Sequence, residues 1–285
     1  MYKGNVIKVL LIAFMVYGIV LYGSKTLFRV DTINDEIKDK KNIDELGKDL
    51  KSLGEKANIE STTHFYYEEL SENIKKKIDK INDEIQEKLG SEYTSIPEIN
   101  EVYYSAKKTS NSDLSFIRLH TDSPFHFSQT YRVLICIEPN ENVRTIIPGD
   151  EINTSLKKYE VLGFDYANTL HYITIDEGNM KRNRIILKLH YGKSEISKEL
   201  TMKYTKWARE LYVNNLNSMG IMGYGMLITQ YLGTNLGSIV LTYSILVALY
   251  LSRKKGNKTL MYTLLIVGGS LTLYSILFQL YFFWN

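Results

Sequence analysis

The sequence predicts an α+β chain: two amphipathic helices, then an antiparallel β body of jelly-roll type, held to a membrane by three transmembrane helices. Three observations predict it. Apolar residues recur at steps of three or four over 31–90, with charged residues filling the other positions. After Gly90 the texture changes to short β-rich runs divided by turn-forming pieces. The two ends of the chain are long, apolar and almost free of charge.

The balance of 24% charged and 44% hydrophobic residues over 285 positions suits a globular protein and excludes a collagen-like or wholly disordered chain. All 32 acidic residues lie between Asp31 and Glu210. Six of the 35 Lys and Arg residues (Lys3, Lys8, Arg253, Lys254, Lys255 and Lys258) lie outside 24–210. That leaves 29 bases there against the 32 acids, a net charge of −3. The basic excess therefore belongs to the ends, and a nucleic-acid binder loses its main support. Cys136 is the only cysteine, which excludes intrachain disulfides and a Cys-based zinc site.

The first element is VIKVLLIAFMVYGIVLYG over 6–23, interrupted only by Lys8, which lies close enough to one end to snorkel. A helix rises about 1.5 Å per residue, so some 20 apolar residues cross a bilayer core of roughly 30 Å. A cleaved signal peptide is the competing reading; the exit LYGSK lacks the small-x-small pattern that cleavage needs. Two helical stripes follow. Ile33, Ile37, Leu46, Leu50 and Leu53 mark one; Leu70, Ile74, Ile78, Ile81, Ile85 and Leu89 mark the other, with Ser61 and Ser71 as N-cap candidates. These helices pack on the domain or on each other, or pair with a second copy; the stripe loses its period across 54–63, which favours packing on the domain.

The β-rich runs are LSFIRL (114–119), YRVLICIE (131–138), VRTIIP (143–148), YEVLGF (159–164), LHYITI (170–175) and RIILKLHY (184–191). PNEN, PGDEIN and DEGNMKRN are the turns between them. No Gly-rich phosphate loop and no Gly-x-Ser-x-Gly elbow is present. At the C-terminus, 211–252 carries no charge and 229–251 is apolar enough to span. A basic turn follows at 253–258, and 259–284 forms a second uncharged run ending in Tyr281, Phe282, Phe283 and Trp284. Short basic loops stay in the cytosol, which places 24–210 on the far side of the membrane, in the endoplasmic reticulum lumen or an equivalent space. Asn153, in NTS, fits a glycosylation sequon.

Chemistry concentrates on a few residues. His120 and Asp122 form a His-x-Asp pair after LSFIRL; in extended chain, residues i and i+2 point the same way, so an imidazole and a carboxylate converge. His171 follows 51 residues later, at the start of LHYITI. Two His and one carboxylate on one face, with other positions left open, suit non-haem Fe(II) that activates oxygen. The plainer reading of the pair is a hydrogen-bonded surface turn. Arg184 opens the next strand, and a buried cation there could grip a keto-acid carboxylate as a bidentate fork. His126 reads as a packed ring or spare ligand, His64 as a helix-surface residue, and His190 as structural.

The runs RLHTDSPFHF, FDYANTLHYI and RIILKLHY resemble the double-stranded β-helix core of Fe(II)/2-oxoglutarate-dependent dioxygenases, of the prolyl-hydroxylase and aspartyl/asparaginyl β-hydroxylase flavour. The resemblance covers about 113–192. It implies that His120, Asp122 and His171 hold iron, and that Arg184 takes the far carboxylate of 2-oxoglutarate, with Arg132 a second candidate and Arg182 a near neighbour in sequence. Oxygen would be consumed with release of CO₂ and succinate as a C–H bond is hydroxylated.

These readings assemble into an anchor over 1–23, a helical region over 24–92, a double-stranded β-helix domain over 93–210 and a membrane hairpin over 211–285. The expected activity is membrane-bound hydroxylation of a protein side chain or a lipid, with Fe(II) and 2-oxoglutarate as cofactor and co-substrate. The expected partners are the bilayer and that substrate, with no nucleic acid, and a second copy is possible through the 31–90 helices. The alternative class is a non-catalytic, tethered jelly-roll protein. A transporter is disfavoured because the apolar segments carry no ionisable residue beyond Lys8.

Overall fold

A computed structural model describes residues 27–60, 62–107, 109, 119–176, 180, 182–215 and 258–284, with isolated positions at 12, 16, 19, 20, 23, 247 and 250. The chain divides into two units: Val30–His120 with Ser128–Lys206, and Met1–Arg29 with Thr121–Phe127 and Trp207–Asn285.

The first unit opens with a short strand, β1 (Ile33–Glu36), and a helix, α1 (Lys40–Lys56). Asp39 caps α1, its carboxylate accepting from the Asn42 amide at 3.0 Å. Strand β2 (Thr62–Tyr66) and helix α2 (Glu72–Leu89) follow. Ser71 stands at the α2 N-cap position, and the helix stops at Gly90, whose φ of +89° favours glycine. The apolar stripes behave as expected of helices packed on their own domain: Leu46, Leu50, Ile74, Ile78, Ile81 and Ile85 are all buried in one core. The helical expectation fails at both ends of α1. INDE pairs along 160–163 and TTHFY along 101–105, because short alternating segments beside an open sheet edge gain a ladder of hydrogen bonds that a helix start cannot match. Ser61 lies outside the described residues.

The remaining strands are β3 (Thr94–Ser95), β4 (Glu101–Ser105), β5 (Thr130–Glu138), β6 (Val143–Ile147), β7 (Ile152–Thr154), β8 (Glu160–Asp165), β9 (Tyr172–Ile175) and β10 (Arg184–Gly192). Five of the expected runs are therefore strands; the sixth, 114–119, lies outside the described residues except for Leu119. Among the described residues they form two antiparallel sheets. One has the order β1-β8-β5-β10-β4-β2, with β3 also on β10, and the other has the order β7-β6-β9. Helix α3 (Glu195–Asn215) follows β10.

Strand alternation sorts the large sheet's two faces. Ile185, Leu187, Leu189 and Tyr191 of β10 point into the core shared with α1 and α2. Ile186 points the other way, with Tyr103, Leu134, Cys136, Leu162 and Phe164, into a second core closed by Val143, Ile147 and Ile175 of the small sheet. The unit is thus layered as helices, large sheet, small sheet. Each fully buried aliphatic side chain contributes roughly 1.5–3 kcal/mol, so both cores matter to stability.

In the second unit, helix α4 (Lys258–Trp284) buries Phe278 and Phe282 against Trp207, and Phe282 also meets Phe125 edge-on at 5.8 Å. The mixed helix-and-sheet composition stands, but the membrane architecture is corrected. Among the described residues, no helix is long and apolar enough to cross a membrane. The expected spans over 6–23 and 229–251, and the basic turn, fall almost wholly outside the described residues. Helix α4 carries Gly268, Gly269, Ser270, Tyr274 and Gln279 along its length, and its Phe278 and Phe282 rings pack on protein. Three transmembrane helices, and an integral endoplasmic reticulum protein with 24–210 in the lumen, are therefore not upheld. An uncharged apolar run is equally compatible with protein neighbours, and hydropathy alone does not separate the two environments.

Candidate metal centre

His171 sits immediately before β9, and His120 faces it across an isolated antiparallel bridge. The two residues exchange backbone hydrogen bonds, His120 N to His171 O at 3.1 Å and His171 N to His120 O at 3.0 Å. This is the register that sets both imidazoles on one side, with ring centroids 4.5 Å apart. Asp122 is carried two residues beyond His120, on a loop braced by Thr121 Oγ1 donating to Ser123 O and by the Phe125 amide donating to Ser123 Oγ at 3.2 Å. One ligand atom from each of His120, Asp122 and His171 lies within 4.8 Å of the other two. His171 is buried; the other two are half-buried.

The tautomer of His171 follows from its partner. Its Nδ1 lies 3.1 Å from the Thr169 carbonyl, and a carbonyl only accepts, so Nδ1 carries the proton and Nε2 keeps its lone pair for a metal. Phe164 tilts against the same ring at 4.7 Å, shielding one side from water. Two neutral imidazoles and one hard carboxylate are a donor set that fits Fe(II) with open positions. The three expected ligands are therefore the residues that the fold brings together.

The arginines differ sharply. Arg184 is 3% exposed, at the start of β10, and among the described residues no carboxylate pairs with it. Burial pulls its pKa down, but a guanidinium stays charged, so this is a cation held in the core with no carboxylate partner among the described residues. Tyr103 and Cys136 flank it, and burial raises both of their pKa values, so neither supplies a negative charge. Arg182, by contrast, is half out in solvent with Glu141 at 3.1 Å. Arg132 is held in a polar chain. Its Nε donates to His190 Nε2 at 3.1 Å and its Nη2 to Tyr166 Oη at 3.4 Å, and its guanidinium stacks 4.6 Å above the Tyr166 ring.

His190 is fully buried, its backbone amide donating to Asn100 Oδ1 at 2.8 Å. His126 is also buried and does not join the three converging donors. His64 is not on a helix surface. It lies on β2 with Nδ1 3.1 Å from the Glu101 carboxylate, which also holds Lys188 at 2.9 Å. Three contributors escaped the sequence reading: Phe164, Asp165 and Thr169, which surround or orient His171. The Asx-turn composition of FDYAN was the one available signal for Asp165.

No family model matches the sequence, and no curated protein matches it. Solved structures do resemble the fold. The viral collagen prolyl hydroxylase of Paramecium bursaria Chlorella virus-1, in its 2-oxoglutarate complex, is 14% identical with a TM-score of 0.41, the overlap covering 57% of this chain and 96% of that one. A prolyl-4-hydroxylase of Pseudomonas putida is 9% identical with a TM-score of 0.39, covering 57% and 92%. The non-haem α-ketoglutarate-dependent epimerase SnoN of nogalamycin biosynthesis is 13% identical with a TM-score of 0.41, covering 60% and 82%. With TM-scores near 0.4 these overlaps are loose, and the chemistry is read from this chain's own side chains.

Proposed function

We propose that this chain is a non-haem iron oxygenase of the 2-oxoglutarate-dependent type, hydroxylating a C–H bond of an organic substrate. The observation that carries the reading is the convergence of His120, Asp122 and His171 within 4.8 Å. Arg184 supports it independently, because a buried guanidinium with no carboxylate partner among the described residues is a natural seat for the distal carboxylate of a keto acid.

In this reading His120 Nε2 or Nδ1, His171 Nε2 and an Asp122 oxygen hold ferrous iron. Bound there, iron and 2-oxoglutarate supply the oxidising chemistry, with the keto acid cleaved to succinate and CO₂ as O₂ is consumed. The protein's part is binding and exclusion. Thr169 O keeps His171 in the ligating tautomer, and Phe164 covers its ring. Arg184 orients the co-substrate, its charge strengthened by the low-dielectric core around Tyr103 and Cys136.

The test is succinate release from 2-oxoglutarate with Fe(II) under air, in wild type, His120→Ala and His171→Ala. Turnover in wild type that falls to background in both variants is expected. Equal turnover in all three would reject the assignment and leave a non-catalytic β domain.

A further inference from the structure

The Asp165 carboxylate lies at the end of β8, 0% exposed, and takes no part in the chemistry above. Its two oxygens accept four hydrogen bonds. Oδ1 takes the Ala167 and Asn168 amides, both at 2.9 Å, and Oδ2 takes the Val30 amide at 3.0 Å and Asn168 Nδ2 at 3.1 Å. Its own carbonyl accepts the Thr169 amide at 3.1 Å. Within the turn the side chain thus takes the Ala167 and Asn168 amides and Asn168 Nδ2, the main-chain carbonyl takes the Thr169 amide, and the Thr169 carbonyl is what holds Nδ1 of His171.

We propose that Asp165 is the positioning residue for His171: by locking the 165–169 turn it sets the tautomer and the ring direction of that imidazole. The proposal rests on the metal-centre reading. An acceptor-only carboxylate suits this place because four N–H groups converge on it; an amide of the same shape turns an NH₂ towards two of them. The turn then opens, the Thr169 carbonyl shifts, and His171 samples the tautomer whose Nε2 bears a proton. Outer partners of this kind typically govern metal affinity by roughly 10–100-fold. The Val30 bond ties the same carboxylate to the segment that enters β1, so the edge strand and the ligand turn share one anchor.

The experiment uses the full chain and Mn(II) as the probe, with unbound Mn(II) read by electron paramagnetic resonance. Imidazole nitrogen resonances, assigned through His171→Ala, give a second readout. Asp165→Asn should weaken Mn(II) binding roughly 10–100-fold and shift the His171 ring signals towards a tautomer mixture, at a temperature where circular dichroism shows it folded. Leu50→Ala, in the distant α1 core, should lose stability but keep wild-type Mn(II) affinity and ring signals. Asn168→Ala, which removes the side-chain bond to Oδ2 and keeps both amide bonds to Oδ1, should weaken binding several-fold and decides the matter if Asp165→Asn does not fold. Wild-type affinity and unshifted ring signals in the folded variants would overturn the proposal. A wild type that binds no Mn(II) overturns the metal centre itself, while the ring signals still report whether Asp165 holds His171.

Discussion

His120 and His171 are 51 positions apart in sequence yet exchange both backbone hydrogen bonds, at 3.1 and 3.0 Å, and hold their rings 4.5 Å apart. The bridge is made by main-chain atoms, so it outlives the side chains. His171→Ala should therefore keep the fold, losing about 1 kcal/mol from the contact with Phe164, while Mn(II) binding measured by calorimetry disappears. A variant that binds the ion as tightly as wild type would place the metal elsewhere.

Arg184→Met replaces the buried cation by a flexible apolar chain of similar reach. Two charge-assisted hydrogen bonds of roughly 1.5–3 kcal/mol each would be lost with the fork, so KM for 2-oxoglutarate should rise by about 100-fold or more. Without ligand the variant should be as stable as wild type or more so, because a desolvated charge no longer sits in the core. Adding 2-oxoglutarate should raise the melting temperature of wild type only. A ligand-dependent rise of equal size in the variant would remove Arg184 from the site.

Burial raises the Asp165 carboxyl to about 6, outweighing the hydrogen bonds that favour its ionised form. In the unfolded chain the same group titrates near the ordinary value of about 3.9. Between these values the folded state holds a proton that the unfolded state has released, so stability falls as pH rises through the window. The stability of wild type relative to Asp165→Asn, from urea melts, should be greatest near pH 4 and shrink towards pH 7. Asp35 and Asp44, held low by hydrogen bonds from Lys88 and Lys158, titrate alike in both proteins and cancel. A difference that grows with pH would reverse the assignment.

Gly54 lies on the buried side of α1, where a Cβ would run into the ring of Tyr104. That ring is 2% exposed and its hydroxyl accepts from Asn183 Nδ2 at 2.8 Å, so it has nowhere to move. Gly54→Ala should destabilise the chain by about 1–3 kcal/mol of overpacking, which exceeds the roughly 1 kcal/mol that alanine gains in a helix. A denaturation midpoint higher than wild type would show that the helix can shift on the sheet.

The buried strands were legible because runs such as YRVLICIE and RIILKLHY are covered on both faces, and short, largely apolar stretches bounded by turn residues read as buried strands. The edge strands were not. INDE and TTHFY are stabilised by the ladders of β8 and β4, which no local window contains. The membrane reading failed for a related reason: Phe278 and Phe282 are apolar whether a lipid or Trp207 covers them, and only the fold names the neighbour.

Sequence by itself determined the chemistry that was on offer: one His-x-Asp pair with both side chains directed to one side, a later histidine, and a guanidinium opening a strand. Those are properties of residue type and of the two-residue period of extended chain. Tertiary structure alone decided that His171 answers His120, that Arg184 is buried while Arg182 faces solvent, and that Asp165 braces the turn between β8 and β9. Each of these depends on strand register, and register is fixed by the packing of two cores over many residues rather than by any short stretch of sequence.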